Sequence, residues 1–200
     1  MTPKVWYIAG ASGTGKSTRA RSIAAECDPA RTLLVSTDVI RAQLRSVLSR
    51  TDHPDLWGES FNLPSHDGDE LRAANDGSLV NISGFLRQCE PILHAVNAAV
   101  AYSISEGWDT IVEGVHLIPG MLELPADSQS TVLLMQVLDT HTHADRFTAR
   151  EQASSGGRPA AHYITNLPRI SVIQDLLHER WIAWQSDAAS LAHVTARVET

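Results

Sequence analysis

Eight consecutive residues, Gly10-Ala11-Ser12-Gly13-Thr14-Gly15-Lys16-Ser17, constrain this chain more than any others. They match the phosphate-binding loop G-x-x-x-x-G-K-S/T and directly follow the apolar run Val5-Trp6-Tyr7-Ile8-Ala9. A strand, a glycine loop and a helix are therefore expected in that order. Backbone N–H groups converge on an anion only where no bulky side chain intervenes, and a helix opening onto the loop turns its positive end toward the charge. The ligand this pattern implies is a nucleoside triphosphate. Gly10, Ala11, Ser12, Gly13, Thr14, Gly15, Lys16, Ser17 and Thr18 form the expected cradle, with Lys16 reaching the β- and γ-phosphates and Ser17 offering its hydroxyl to Mg²⁺.

Two hundred residues suit one α/β domain with a small insertion and are enough to bury a core without disulfides or metal staples. A formal charge of −7 argues against a nucleic-acid surface, which needs a basic face, so any anion must be held locally. Cys27 and Cys89 lie far apart without C-x-x-C spacing and read as core filler in a reduced, cytoplasmic protein. No apolar run is long enough to span a bilayer, and Met1-Thr2-Pro3-Lys4 leads straight into the first strand, leaving no room for a signal peptide. A soluble protein with no membrane or nucleic-acid partner is expected.

Along the chain, a helix is expected from Lys16 to about Cys27, a buried strand over Arg31–Ser36, and a helix over about Asp38–Ser49 with Val39, Leu44, Val47 and Leu48 at roughly helical spacing. From about residue 51 to 85 prolines, glycines, aspartates and serines break the periodicity, and the segment reads as an irregular insertion over the acceptor side of the site. Pro91 then marks a helix first turn, Leu93, Val96, Val100 and Ile104 recur at helical steps, and Gly107 stops it. Strands follow at Thr110–Glu113 and Thr131–Leu138, then a helix over Asp139–Gln152, a mobile loop over residues 153–159, an amphipathic helix over Pro168–Trp184 and a last strand near His193–Val198. Right-handed crossovers make a parallel five-stranded sheet between helical layers, a three-layer α/β/α P-loop fold, the economical arrangement.

Ligands of such sheets collect at the strand ends, and three clusters fall there. In Ser36-Thr37-Asp38-Val39-Ile40-Arg41, Asp38 is placed to accept a proton from an attacking hydroxyl while Arg41 forks onto an anionic group of the acceptor; as an alternative, Asp38 is an N-cap and Arg41 a solvated helix residue. In Glu113-Gly114-Val115-His116, Glu113 sits where P-loop proteins orient Mg²⁺ or its water, and His116 is a candidate donor to an acceptor oxygen or, as an alternative, a satisfied structural residue. Glu113 and Asp38 both remain candidates for the base. Arg146 and Arg150, one turn apart, precede a Gly/Ser-rich loop ending in Arg158; over about residues 146–165 they read as a lid closing on a migrating anionic group, or as a solvated face balanced by Asp145 and Glu151. His141 and His143 lack further ligands at zinc spacing.

Taken in order, Gly10–Ser17, Ser36–Arg41 and Val112-Glu113-Gly114-Val115-His116-Leu117-Ile118-Pro119-Gly120 resemble the 2-phosphoglycerate kinase family, with support from Gly84-Phe85, Gln88, His143, Arg146-Phe147, Arg150, Arg158-Pro159 and Tyr163, and from Glu59-Ser60-Phe61 in the insertion. The resemblance implies an adenylate-kinase-like fold moving the γ-phosphoryl of ATP, with Mg²⁺, onto the free hydroxyl of 2-phosphoglycerate to give 2,3-bisphosphoglycerate. An acceptor bearing both carboxylate and phosphate needs several cationic donors, which Arg41, Arg146, Arg150 and Arg158 supply. Two other readings stand beside it: a P-loop kinase of another metabolite or antibiotic hydroxyl, and a nucleotide-binding switch that turns over without an acceptor.

Overall fold

The computed structural model describes residues 2–153, 157–188 and 192–200. Five strands, β1 (Lys4–Ala9), β2 (Thr32–Ser36), β5 (Asp109–Gly114), β6 (Gln129–Met135) and β7 (Val194–Glu199), form one sheet in the order β2-β5-β1-β6-β7. Every neighbouring pair is parallel, as the crossover argument requires. Alternation along the strands feeds two cores. Ile8, Ile111 and Leu133 face Ala20 and Ile23 of helix α1 (Lys16–Ala25), whereas Tyr7, Val112, Val132 and Leu134 face helices α3 (Ile82–Ser105) and α6 (Leu167–Ala188). The expected three layers follow from that split. The remaining helices are α2 (Thr37–Val47), α4 (Thr140–Ala153) and α5 (Ala160–Thr165). Among the described residues no helix is long and apolar enough to cross a membrane.

Two expectations are corrected. Helix α3 begins at Ile82, so Pro91 lies inside it and not at its first turn. An interior proline costs a helix ~3 kcal/mol, and here it is outweighed by one continuous buried face of Ile82, Phe85, Cys89, Ile92, Leu93, Val96 and Val100 on either side of it. The start is fixed instead by Asn81, whose side-chain oxygen accepts from the Gly84 N–H at 2.8 Å. In α2 the N-cap is Ser36, so Asp38 is a first-turn residue; its inward face is Ile40 and Leu44, with Val39 and Val47 exposed.

The insertion is more ordered than its composition suggests. A 3₁₀ turn over Pro54–Trp57 and a small antiparallel hairpin, β3 (Leu71–Ala73) with β4 (Leu79–Asn81), bracket it. Arg87 of α3 ties the two halves together through Asp55 at 2.8 Å and Asp69 at 2.6 Å. The expected mobile loop includes Ser154, Ser155 and Gly156, which lie outside the described residues.

Candidate active site

Register brings the strand ends together. Glu113 pairs with Ile8 of β1 on one side and Ser36 of β2 on the other, so the C-terminal ends of β1, β2 and β5 lie in one row. Gly114 allows this close approach: a Cβ there would collide with the Thr37 side chain.

The phosphate loop has the backbone its glycines predict. Gly13 at φ 82° and Gly15 at φ 95° adopt left-handed conformations, and Gly15 is the N-cap of α1. Within the loop Lys16 Nζ donates to the Ala11 carbonyl at 2.6 Å, and Thr14 Oγ1 donates to the same oxygen at 2.9 Å. Lys16 thus folds over the loop it belongs to. Burial lowers its pKa, with Arg150 acting in the same direction and Glu113 and Asp38 opposing it. These four side chains therefore share one neighbourhood.

Ser17 and Glu113, metal candidates from two separate motifs, meet: the Ser17 hydroxyl donates to Glu113 Oε2 at 3.2 Å. A hydroxyl and a carboxylate, both hard oxygen donors, suit Mg²⁺, which keeps most of its ligands as water and phosphate. The pair lies at the mouth of the phosphate loop, and the donor set fits the ion. Ser17 and Thr18 are exposed at the start of α1.

On the adjoining strand end, Arg41 pairs with Asp38 at 3.0 Å, with Asp38 exposed and Arg41 half-buried. Arg45, one turn further and not among the residues its motif singles out, donates to the Leu56 carbonyl at 2.5 Å. Both guanidinium groups also reach the Gly58 carbonyl, at 3.4 Å each. The i, i+4 spacing of Arg41 and Arg45 was the signal that could have found it.

His116 occupies a different place from the one its motif suggested. It is fully buried, and both ring nitrogens are engaged: Nδ1 with Thr37 Oγ1 at 2.8 Å, Nε2 with Gln88 Oε1 at 3.1 Å and Ser60 Oγ at 3.3 Å. Burial first, then Arg41, lowers its pKa to about 3, so the ring is neutral. It joins β5, α2, α3 and the insertion from behind the site.

From the other side α4 braces the phosphate loop. His143 Nε2 lies 2.7 Å from the Ser12 carbonyl, and Arg146 Nη1 donates to the Thr14 carbonyl at 3.1 Å. The Phe147 ring lies against Gly13, where a Cβ would come within 2.5 Å of it. Phe147 stacks on His143 at 5.3 Å and on Tyr163 at 4.8 Å between centroids, and the Arg150 guanidinium covers the Tyr163 ring at 4.5 Å. Arg146 thus reaches the phosphate loop directly and Arg150 by way of an aromatic column. Arg158 turns to the insertion instead and pairs with Glu59, which also faces His162 of α5 at 3.0 Å. Arg169 donates to Asn62 Oδ1 at 2.8 Å.

No family model matches the chain. Among curated proteins it is 34% identical to a 2-phosphoglycerate kinase of Methanopyrus kandleri, over 88% of this chain and 53% of that protein. With a 2-phosphoglycerate kinase of Methanocaldococcus jannaschii it shares 31% identity, over 88% of this chain and 55% of the relative. The chain spans about half the length of the curated relatives it matches. Among solved structures, a gluconokinase from Sinorhizobium meliloti 1021 overlays with a TM-score of 0.38 at 15% identity, over 98% of this chain and 83% of the other. The fold rests on the strand order of this chain itself.

Proposed function

We propose, for a chain related in sequence to the 2-phosphoglycerate kinase family over about half of those proteins, that it transfers the γ-phosphoryl of ATP to the hydroxyl of a small anionic metabolite. The acceptor that fits best is 2-phosphoglycerate, giving 2,3-bisphosphoglycerate. One observation carries this reading: the strand register sets the Ser17–Glu113 pair of the phosphate loop beside the Asp38–Arg41 pair of α2.

In that reading the backbone of residues 10–18 cradles the triphosphate and Lys16 leaves the Ala11 carbonyl for the β- and γ-phosphates. Ser17 and Glu113 would hold Mg²⁺, whose contribution is to neutralise charge on the phosphates. Asp38, exposed at the start of α2, takes the proton of the acceptor hydroxyl as its oxygen attacks the γ-phosphorus and the bond to ADP breaks. Arg41 is released from Asp38 to the acceptor's anionic group, with Arg45 beside it. Arg146 and Arg150 meet the charge that gathers on the migrating group. Arg158 completes the acceptor's anion site, and His116 positions Thr37 and Ser60 rather than touching substrate.

ADP release from Mg·ATP, measured with 2-phosphoglycerate, with glycerate and with no acceptor, tests this, with the product identified by mass and Lys16→Ala as control. Strong stimulation by 2-phosphoglycerate, a bisphosphorylated product and near-background turnover in the variant are expected. Equal stimulation by glycerate would remove the phosphate-bearing acceptor from the reading, and no stimulation by either would leave a nucleotide-binding protein.

A further inference from the structure

Glu59 lies in the insertion between two hydrogen-bonded neighbours, Gly58 and Ser60. Before it, the Gly58 carbonyl accepts from Arg41 and Arg45, each at 3.4 Å, and from Gln88 Nε2 at 3.1 Å. After it, the buried Ser60 hydroxyl donates to Gln88 Oε1 at 3.0 Å and contacts His116. Both neighbours of Glu59 are thus anchored, and its own side chain is only 19% exposed. It faces the segment after α4: Arg158 pairs with it, and His162 Nε2 lies 3.0 and 3.2 Å from its two oxygens. The Phe61 ring, tilted against His162 at 6.2 Å, closes the same corner.

The charges around this corner do not balance. Arg41, Arg45 and Arg158 gather there, close enough that Arg41 and Arg158 reinforce the effect of burial in lowering the Arg45 pKa, against the carboxylates of Asp38 and Glu59. Each carboxylate occupies one arginine that an anionic acceptor would need.

We propose that Glu59 is a specificity-determining residue, an internal carboxylate that occupies Arg158 and His162 where the acceptor's anion will sit. This rests on the reading of an anionic acceptor given above. A carboxylate already in place sets a threshold. A dianionic phosphate carries more charge and more acceptor oxygens than Glu59, so it draws the guanidinium away; a neutral hydroxyl compound does not, and leaves the pair closed.

The test uses inorganic phosphate as probe, titrated calorimetrically into protein whose phosphate loop is filled by a non-hydrolysable Mg·ATP analogue. Wild type, Glu59→Gln, Arg158→Gln and the double variant are compared. Glu59→Gln is expected to tighten phosphate binding about fivefold, the scale of one partly exposed ion pair, and the double variant to match Arg158→Gln. In the same Glu59→Gln protein without ligand, amide exchange over residues 157–165 is expected to rise severalfold while residues 10–18 keep their rates. Phosphate binding that is unchanged, weaker or undetectable in Glu59→Gln overturns the proposal, as does unaltered exchange over residues 157–165. Neither readout uses turnover, so failure of the kinase reading and failure of this one are separable.

Discussion

Glu113 and Gly114 are neighbours in sequence with separate burdens, one chemical and one steric. Replacing Glu113 by Gln keeps its shape and its bond to Ser17 but removes the charge that favours a hard cation. The Mg²⁺ concentration for half-maximal turnover is then expected to rise by about tenfold or more, measured as a Mg²⁺ titration at fixed nucleotide. Gly114→Ala acts on stability instead, because the new methyl would have to displace the Thr37 side chain that His116 holds. A loss of about 1–3 kcal/mol is expected, read as a shift in the urea midpoint at unchanged slope. At this scale the sequence was legible where chemistry is written in a local pattern. Gly10–Ser17, Asp38, Arg41 and Glu113 stand out by spacing, and Arg45 lies one turn beyond Arg41, whereas the pairing of Glu59 with Arg158 and His162 is a tertiary contact that no periodicity encodes. His116 runs the other way: of the two readings its motif allows, burial and two engaged ring nitrogens favour the structural one.

Among the elements, the strands were the most legible, since short aliphatic runs such as Thr131–Leu138, which the structure realises as Gln129–Met135, have few other uses in an α/β fold. The start of α3 was the least legible, because Pro91 is a familiar helix-opening signal and the real opening, Asn81, sits at the end of a three-residue strand. Asn81 does more than cap. Its Nδ2 donates to the Pro64 carbonyl at 2.6 Å and to Asp69 at 2.7 Å, so it pins the insertion to the helix it begins. Asn81→Ala is expected to cost about 1–2 kcal/mol, by thermal or urea denaturation, and to speed amide exchange between residues 62 and 81. An Asn81→Asp variant, which keeps the cap acceptor but places a second carboxylate against Asp69, should recover less than the full loss.

For the whole molecule, the pH dependence of stability follows from its buried histidines. His116 is held neutral down to about pH 3, and His143, buried against the phosphate loop, is also shifted below its ordinary value. In the unfolded chain both titrate near pH 6.5. Between those limits the unfolded state binds more protons than the folded one, so stability is fully present above about pH 6.5 and falls as pH drops toward 3. Thermal midpoints between pH 7.5 and 4 are expected to decline along this limb, and His116→Asn is expected to be less stable at pH 7.5 but to decline less steeply. The architecture also governs when a working site can exist. Ser17 and Glu113 lie 96 residues apart in the chain, and they meet only through the parallel pairing of β1 with β5. Parallel pairing of distant segments is slow, because long loops must close before the contact rewards them. A nascent chain that has emerged only through α3 carries a complete glycine loop and lacks the Glu113 that Ser17 pairs with. On the function proposed above, the capacity to hold a metal–nucleotide complex would report that the centre of the sheet has closed, and a nucleotide binding that state alone would pull late-folding chains toward it.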